Sequence, residues 1–597
     1  GYKRFALRIY QEIKIIVLNF LPNKILKYFL EVSYKTPFFR DVLKDFKLPN
    51  KHNELNIKNK KIFKFVKFKF LNEQKILKIP FAWNNKSWKR LWQFNLHYFD
   101  WSREWLNSCL VHNNSEKERI LLAILIDSWI KLNPIGNYDG WHSYTISLRI
   151  RNWIYIFRCF PELASKKRIE SLWQQIIWLY LNPEIANGGN HLIENLISLI
   201  ISSLQFEGHK SYEIYTWSIN KLKIELKEQI LQDGGHYERS AIYHFLMLDR
   251  LVELACMIEK IKNQRPTWLE KTIYKMYSWG LKVLLDKKNI PPFNDSPFEI
   301  CKDIDRVVNF AETFLFQYPY SFKDIRILFI NYLEKEKNIK KQIKNKHTKF
   351  HIEDLPNTGW TILKIDNWKL FFKNGVPCPN YLPAHVHSDL LSFNLYFKST
   401  PVLIETGTSI YENGLIRNYE RSGKAHNILQ FAEFNHNPEK INWIEPIEVW
   451  DSFRAAKKSF PKNREFGKKN SKYLWVSGRH DAYDNLGLIH ERRISMEYIS
   501  GSEINIIIND LIISESNFKW RMFFHLGPYQ KKSLLKETIE KSKAQIDFAH
   551  QWDINWYAPS FGERIKRHTL CCTGKIEPGE RIIKSKIKLS TKQIVFK

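Results

Sequence analysis

The stretch AHVHSDLLSFNLYF, residues 384–397, places two histidines directly before an apolar, alternating segment. His385 and His387 are two residues apart, so on an extended chain they point to the same side. Glu405 follows His387 by 18 residues, and His426 lies 21 residues further on. Two imidazoles and a carboxylate, completed by water, make a zinc-ligand set, and adjacent antiparallel strands would bring His387 and Glu405 together. Structural histidines satisfied within a core would give the same pattern.

A second group of titratable residues crowds a glycine turn and the start of a helix in QDGGHYERSAIYHFLMLDRL, residues 232–251. Arg239 and Tyr243 are four residues apart and are predicted to share one helical face. A neighbouring guanidinium favours the phenolate form of a tyrosine, which suits acid–base chemistry. The alternative is a partly exposed helix start without a catalytic task. The candidate residues of this group are His236, Glu238, Arg239, Tyr243 and His244.

A third group, Asn190 and His191, lies in ANGGNHLIENLISLI, where a glycine pair meets the start of an apolar helix. An asparagine at this point is typical of a helix N-cap, which by itself explains its presence. The functional alternative is an amide and an imidazole at the rim of a binding site. Taken alone, the residues favour the N-cap interpretation.

The secondary structure predicted for the segments that carry these groups changes from helices to strands along the chain. From about residue 90 to 340, apolar residues recur at helical spacing in six segments, which begin at residues 118, 143, 168, 191, 240 and 269 and are joined by short loops. This pattern favours a toroid or solenoid of paired helices. After a charge-rich stretch, short alternating segments predict stacked antiparallel sheets. We therefore expect an α+β multidomain protein. Its predicted parts are a basic N-terminal segment of helix and strand, a helical domain and an antiparallel β-sandwich, over residues 1–89, 90–345 and 346–597.

Composition limits the partners. The chain has 597 residues, a formal net charge of +31 and seven cysteines. So large a positive charge, spread along the sequence, predicts an anionic partner such as nucleic acid, an anionic membrane surface or an acidic polysaccharide. Nucleic acid is the least favoured, because no nucleic-acid-binding module is recognisable. The few, irregular cysteines predict neither a disulfide framework nor a thiolate zinc site, so any metal must use nitrogen and oxygen ligands.

Targeting signals are weak. No segment reaches the roughly 18 apolar residues needed to span a bilayer, and the apolar stretch near residue 20 is interrupted by Pro22. We expect no export signal in the sequence as given and a cytoplasmic protein by default, or a periplasmic one if an N-terminal signal has been removed. The sequence does not indicate an oligomeric state.

Taken together, the three groups resemble the heparinase II/III-type polysaccharide lyases and the related alginate lyases. The most specific matches are DGGHYERSAIYH, HVHSDLLSFNLYFKSTPVLIETGT and RNYERSGKAHN, which follow that family's succession H-x-H-x-D, D-x-G and R-x-x-R-S-x-x-H-N. FNLHYFDW and WHSYTISLRIRNWI are weaker matches to its helical part. The likeness runs from about residue 90 to 530. Where Glu405 stands the family has aspartate, and the extra methylene displaces the carboxylate.

The resemblance implies an (α/α) toroid packed on an antiparallel β-sandwich, with cleavage of uronate-containing polysaccharide by β-elimination in the cleft between them. Its implied catalytic residues are Asn190, which would neutralise the substrate carboxylate, His191, Tyr243 as general acid or base, and His385. A structural zinc, or another divalent cation, would be held by His387, Glu405 and His426. Residues expected to contact the substrate are Trp141, His142, His236, Glu238, Arg239, His244 and Arg417.

Two other functions compete with this interpretation. A glycoside hydrolase on a helical toroid would use two carboxylates, for instance Asp233 and Glu238, and would leave the histidines unused. A non-catalytic protein that binds acidic polysaccharide would retain the same residues without turnover. Within the lyase interpretation, heparin or heparan sulfate, alginate and bacterial exopolysaccharide all supply uronate. The sequence does not decide among them, nor between internal and terminal cleavage.

Overall fold

The structure is a computed structural model, and it divides the chain into two compact units. The first unit comprises residues 1–229, 247–274 and 306–337, and the second comprises residues 230–246, 275–305 and 338–597. The boundaries predicted after residues 89 and 345 stay predictions. The structure describes scattered residues before residue 40 and then residues 64–106, 116–137, 139–316, 350–433, 441–535 and 548–596.

Helices dominate the described residues between positions 90 and 316. All six helices predicted from apolar periodicity are present, as α2, α3, α4, α5, α7 and α8. Helix α6 was not predicted, because lysines and aromatic residues occupy its exposed positions and mask the apolar stripe. The bounds are α1 Arg90–Tyr98, α2 Glu116–Leu132, α3 Ser143–Cys159, α4 Lys166–Leu181, α5 Gly189–Ser203, α6 His209–Gln229, α7 Ala241–Lys262, α8 Thr267–Val283, α9 Ile304–Phe316 and α10 Leu415–Arg421.

Helix α3 shows how the first unit is built. Every residue from Ser143 to Cys159 except Tyr144 is buried, so both apolar faces of the helix are covered by neighbouring helices. Such complete burial of a 17-residue helix is typical of an inner helix of a helical array rather than of a surface helix. The first unit also contains a hairpin of β1 Phe65–Phe70 and β2 Glu73–Lys78. Strand β1 was predicted from the alternation in KFVKFKF, whereas its partner β2 was not.

The second unit is built mainly from antiparallel strands. Its sheets have the orders β3-β4-β5-β6-β7, β11-β12-β13-β14-β18 and β16-β17-β15-β8, with a further hairpin of β9 and β10. The strands are β3 Phe350–Leu355, β4 Trp360–Ile365, β5 Trp368–Lys373, β6 Phe393–Phe397, β7 Thr400–Leu403, β8 Leu429–Glu433, β9 Ile447–Asp451, β10 Arg454–Lys458, β11 Pro461–Asn470, β12 Tyr473–His480, β13 Leu488–Ser500, β14 Glu503–Ser514, β15 Phe518–His525, β16 Phe548–Tyr557, β17 Ile565–Ile576 and β18 Gly579–Ser590.

One apolar core joins the three large sheets. Side chains from β5, β6, β13, β14 and β15 contribute to it, including Trp368, Phe393, Ile494, Ile506 and Trp520. The alternating segments predicted as strands contribute these residues on every second position, as stacked sheets require. Helices in the N-terminal half and antiparallel sheets in the C-terminal half are therefore confirmed.

Two predictions cannot be compared with the structure. The broken basic helices of residues 1–60 and the charge-rich boundary at residues 331–349 lie largely or wholly outside the described residues. Among the helices that are described, none combines the length and apolarity needed to cross a membrane.

Candidate active site and metal-ligand cluster

The helix start that carries Tyr243 differs from the sequence prediction. Helix α7 begins at Ala241, and Arg239 precedes it with a left-handed φ of 54°. The prediction that Arg239 and Tyr243 share a helical face is therefore wrong, because the regular 3.6-residue spacing starts only after Arg239. The Arg239 guanidinium instead donates to the carbonyl oxygens of Tyr237 at 2.7 Å and Asn357 at 3.2 Å.

A glycine turn precedes this helix start. Gly234 has a φ of 95°, and a Cβ atom there would lie 2.2 Å from the carbonyl oxygen of Lys275, so the backbones approach too closely for any side chain. Asp233 completes the turn, since its carboxylate accepts hydrogen bonds from the Gly235 amide at 3.1 Å and from the Thr358 amide and hydroxyl at 2.6 and 3.0 Å. Asp233 thus has a structural task.

Tyr243 lies against a histidine and a second tyrosine. Its ring stacks on the imidazole of His385 with a centroid separation of 4.2 Å and an interplanar angle of 27°. Its hydroxyl is 2.9 Å from the hydroxyl of Tyr411, and either can donate. Burial, and then the nearby Asp295 carboxylate, raise the pKa of Tyr411 well above its usual value, so Tyr411 stays a neutral phenol. Two phenols and an imidazole therefore meet at one point.

His385 is held between two carboxylates. Its Nδ1 lies 3.0 Å from Oδ2 of Asp295, and its Nε2 lies 3.5 Å from Oε2 of Glu238. The side chain is 8% exposed, so a small part of it remains accessible to solvent. Imidazole and phenol groups in this arrangement can exchange protons with a bound ligand.

Asp295 is the centre of this group, although the sequence did not single it out. Its carboxylate also accepts from Nε2 of His387 at 2.9 Å and from the hydroxyl of Thr408 at 3.1 Å. The guanidinium of Arg417 donates to both carboxylate oxygens, at 2.5 and 2.7 Å. Burial opposes ionisation of Asp295, but Arg417 and the two histidines outweigh it and hold its pKa well below the usual range.

The other residues of the second unit that were predicted to contact the substrate are buried. Arg417 is 1% exposed, and besides Asp295 it donates to the side chain and carbonyl oxygen of Ser452. His244 is fully buried, with Nε2 at 3.0 Å from the Met276 carbonyl oxygen, and burial lowers its pKa to about 3. His236 and Glu238 are 1% and 3% exposed. Substrate contact by these residues stays a prediction.

The predicted metal ligands lie in one buried region. Ligand atoms of Asp389, Glu405 and His426 are within 4.8 Å of one another, and all three residues are buried. Glu405 Oε1 is 3.3 Å from His426 Nδ1. The imidazole of His387 lies beside that of His426, with 5.3 Å between ring centroids. The structure thus brings Glu405 and His426 together as predicted and adds Asp389, whereas His387, the third predicted ligand, is not one of the residues whose ligand atoms lie within 4.8 Å of one another.

The chemistry of this cluster fits a divalent cation. Within the described residues, His387 Nδ1, His426 Nε2 and Asp389 Oδ2 are buried and make no hydrogen bond. Burial raises the pKa of Glu405 to about 8, so without a cation the folded protein resists its ionisation. Lys373 supplies one internal positive charge, with Nζ 2.5 Å from Asp389 Oδ1. Imidazole nitrogen and carboxylate oxygen are ligands that zinc accepts.

The first unit carries the Asn190 group. The N-cap of α5 is Gly188, with a φ of 65°, and Asn190 is the second residue of the helix, so the N-cap interpretation of Asn190 is wrong. Gly188 and Gly189 lie at the start of the helix, and Asn190, the next residue, is 3% exposed. His191 stacks on Tyr144 at 4.1 Å, and its Nδ1 lies 2.9 Å from Glu184 Oε1.

His142 and Trp141 lie close to this group in the sequence and in the structure. His142 is the N-cap of α3, accepts from the Tyr144 amide at 3.3 Å and approaches Glu184 at 4.0 Å. Trp141 is 5% exposed and donates from Nε1 to the Asn133 carbonyl oxygen at 3.2 Å. His142 therefore accompanies His191 around one carboxylate, whereas Trp141 packs in the helical core.

Glu184 gives the first unit a predictable pH dependence. Burial raises its pKa, but His191, His142 and the hydrogen bonds from His191 and Asn195 outweigh burial and lower it to about 2. The folded protein then binds fewer protons than the unfolded chain between about pH 4.5 and pH 2. This stabilisation, up to about 3 kcal/mol, is present above pH 4.5 and is lost as the pH falls.

We expect Glu184→Gln to flatten this acid limb. Urea unfolding of wild type and variant at several pH values between neutrality and pH 3 measures the slope directly. Glu207→Gln serves as the control, because Glu207 belongs to the same unit and is exposed. Equal slopes for wild type and Glu184→Gln would contradict the assignment.

Three functional candidates escaped the sequence reasoning. Asp295 lies in PPFNDSPF without another titratable residue in the motif, and Tyr411 lies in TSIYENG beside only Glu412. The side-chain hydrogen bonds of Asp295 reach residues 90 or more positions away, and the hydroxyl of Tyr411 pairs with Tyr243, 168 positions away. Asp389 is the last residue of H-x-H-x-D, and no role was predicted for it. For Asp295, the one feature of the sequence that could have drawn attention to it is an acidic residue flanked by prolines in PPFNDSPF.

Two family models together match almost the whole chain. The model of the heparinase II/III N-terminus matches residues 23–321, and the heparinase II/III-like C-terminal model matches residues 347–597. The chain belongs to the heparinase II/III family. The resemblance inferred from the three groups is thereby confirmed.

Relatives of this heparinase II/III family member include the heparin-sulfate lyase of Pedobacter heparinus, which is 24% identical over 230 residues. That match covers 36% of this chain and 34% of the relative, about a third of its length. A crystal structure of heparinase III covers 96% of this chain and 92% of its own, with a TM-score of 0.66 and 14% identity. A mutant heparan sulfate lyase from Pedobacter heparinus covers 95% and 88%, with a TM-score of 0.56 and 16% identity. The fold class is therefore confirmed.

Proposed function

We propose that this heparinase II/III family member is a polysaccharide lyase that cleaves uronate-containing acidic polysaccharide by β-elimination. The observation that carries the proposal is the stack of Tyr243 on His385 beside the Tyr411 hydroxyl. Family membership supplies the reaction class. The position of these groups supplies the acid and base that such a reaction needs.

The chemistry sets the requirements. The proton on the carbon next to a uronate carboxylate is weakly acidic, because its removal adds charge to an existing anion. A donor must first neutralise the carboxylate, and preorganised hydrogen bonds do this well in a site that excludes water. A base then takes the proton, the electron pair forms a carbon–carbon double bond, and the glycosidic oxygen departs with a proton from an acid. The product is an unsaturated uronate.

In the second unit, Tyr243 is the proposed general acid or base and His385 its partner. The neutral phenol of Tyr411 donates to the Tyr243 oxygen when that oxygen carries negative charge, which stabilises the phenolate. Nδ1 of His385 is bonded to Asp295, and Nε2, which lies 3.5 Å from Glu238 Oε2, is the nitrogen proposed to exchange the proton. A positioned acid–base group contributes about 10²- to 10⁴-fold to the rate.

In the first unit, the family resemblance assigns Asn190 to neutralisation of the substrate carboxylate, with His191 beside it. The Glu184 carboxylate supports this assignment of His191, because it accepts from Nδ1 and fixes the ring. The wide basic surface implied by a net charge of +31 suits a polyanionic substrate. Binding is therefore expected to weaken as salt is added.

A divalent cation, zinc in our proposal, would be held by Glu405, His426 and His387, with Asp389 as an additional oxygen ligand. When bound, such an ion would stabilise ionised Glu405 and brace the segment that carries His385. The catalytic protons are exchanged by Tyr243 and His385 themselves. The donor atoms fit this assignment, since His387 Nδ1 and His426 Nε2 are buried without hydrogen bonds among the described residues.

We expect His387→Ala to lower both the metal content and the melting temperature, because one ligand and one Asp295 contact are lost. Elemental analysis and thermal unfolding, each with and without chelator, measure the two effects. His490→Ala is the control, since His490 is equally buried and bonded to an aspartate, Asp510, at 2.7 Å. If both variants lost stability while their metal content stayed unchanged, His387 would have a structural role and would not be a metal ligand.

The hydrolase alternative is weakened by Asp233, whose carboxylate is engaged by three hydrogen bonds within the turn.

The lyase function is tested by incubating the protein with a panel of uronate polymers while near-ultraviolet absorbance is recorded. Elimination yields a double bond conjugated with the carboxylate, which absorbs there, whereas hydrolysis yields a product heavier by one water and without this absorbance. Shortening of the polymer without absorbance would support the hydrolase. Binding without shortening would support a non-catalytic protein.

A further inference from the structure

Asp295 forms hydrogen bonds with both segments that carry the proposed catalytic side chains, Tyr243 and His385. It belongs to the segment that follows α8, and its side chain is fully buried. Its carbonyl oxygen accepts from the Ser240 hydroxyl at 2.6 Å, immediately before the helix of Tyr243. Its amide donates to the His385 carbonyl oxygen at 3.2 Å. One residue thus joins the start of α7 to the histidine segment.

The side chain of Asp295 also determines which His385 nitrogen carries a proton. An ionised carboxylate only accepts hydrogen bonds, so the Nδ1 atom at 3.0 Å must be the donor. In the neutral imidazole, Nε2 then holds the lone pair. Nε2 lies 3.5 Å from Glu238 Oε2, longer than an ordinary N–H···O hydrogen bond, so this contact does not require a proton on Nε2.

Arg417 secures this arrangement. Its guanidinium binds both oxygens of Asp295, and Ser452 fixes the guanidinium in turn. A bidentate pair of this kind fixes orientation as well as charge. The Asp295 carboxylate is therefore kept ionised and immobile beside His385, and it holds Nε2 of His387 in the same way.

We propose that Asp295 is the positioning residue of the active site, fixing His385 in the tautomer whose Nε2 exchanges the proton with the substrate. The proposal rests on the lyase function proposed above. It assigns Asp295 no contact with substrate. Its effect on turnover is exerted through His385.

The same unit offers a matched control. Asp510 is also fully buried, accepts from His490 Nε2 at 2.7 Å and is bound by the Arg492 guanidinium at 2.7 and 3.2 Å. Asp510→Asn therefore breaks an equivalent aspartate–histidine–arginine group at a place where no catalytic residue is proposed. A purely structural role of Asp295 predicts the same behaviour for both variants.

The experiment compares kcat and KM of Asp295→Asn, Asp295→Glu and Asp510→Asn with wild type on the polymer that gives absorbance. For Asp295→Asn we expect kcat to fall about 10³- to 10⁴-fold, as when a histidine loses its orienting aspartate, with KM nearly unchanged. Asp295→Glu, which keeps the carboxylate, should recover part of the loss. Asp510→Asn should keep the wild-type kcat in the folded fraction. Wild-type turnover by Asp295→Asn, or an equal loss of kcat in folded Asp510→Asn, would overturn the proposal.

A second measurement determines the tautomer of His385 directly, and its result depends neither on turnover nor on the folding of an Asp295 variant. Nitrogen-15 spectra of histidine-labelled wild-type protein in alkaline buffer report the tautomer of each ring, and His385→Gln identifies the His385 signals. A protonated Nδ1 with an unprotonated Nε2 supports the proposal, and the reverse tautomer overturns it. If wild type forms no unsaturated product on any polymer, the lyase function fails, while this spectrum still decides whether Asp295 fixes His385.

Discussion

Tyr243→Phe is expected to remove turnover, by about 10²- to 10⁴-fold or more, while leaving the fold nearly intact. The variant keeps the ring that stacks on His385 at 4.2 Å and deletes only the hydroxyl bonded to Tyr411. Loss of one such hydrogen bond costs about 1 kcal/mol of stability. A large kinetic effect with a small structural one is the result that separates a proton-transfer group from a packing group.

Absorbance of the unsaturated product measures this effect, and binding of the intact polymer to the variant measures affinity separately. Tyr396→Phe is the matched control. Tyr396 is 2% exposed in the same unit, and its hydroxyl makes no hydrogen bond among the described residues, so its removal should change neither rate nor stability. Near-normal turnover by Tyr243→Phe would remove the tyrosine from the mechanism.

Arg417→Met is expected to lower the free energy of unfolding by about 3–5 kcal/mol, because it leaves the Asp295 carboxylate buried without its cation. Both partners are buried, at 1% and 0% exposure, so solvent cannot compensate. The double variant Asp295→Asn/Arg417→Met removes both charges and should recover part of the stability. It should not recover turnover, since His385 remains without its carboxylate.

Urea unfolding of the single and double variants gives the coupling between the two residues. Arg493→Met is the control, as its guanidinium lies on the surface, 3.6 Å from the centre of the Trp475 ring. Surface substitutions of this kind usually change stability by less than about 0.5 kcal/mol. A similarly small effect of Arg417→Met would mean that Asp295 is ionised by other means.

How much the sequence could predict depended on whether the signal was local. Helix α3 and strand β14 were predicted because their apolar spacing repeats within a single segment. Helix α6 was missed because its 21 residues include exposed lysines and aromatics that blur the stripe. Strands β16 and β17 were missed because polar residues and a cysteine pair interrupt their alternation.

The candidate site divides along the same line. Tyr243, His385 and His426 lie in dense motifs, so family resemblance could assign them roles. Asp295 binds residues 90 to 122 positions away, and only the fold reveals that one carboxylate serves His385, His387 and Arg417 together. The relation of Arg239 to Tyr243 was misjudged because a left-handed residue cannot be recognised from helical spacing.

The interleaving of the two compact units limits how the protein can be dissected. Residues 230–246 and 275–305 belong to the second unit although the helical half of the sequence encodes them. A fragment beginning after residue 345 would lack Tyr243 and Asp295 and would contain Arg417 without its counter-ion. Replacing the C-terminal half of this chain by that of a relative would likewise separate Asp295 from Arg417. The boundary between the two family models is thus a poor place for fragment expression or for chimaeras, and the 230–305 segment must accompany the sheets.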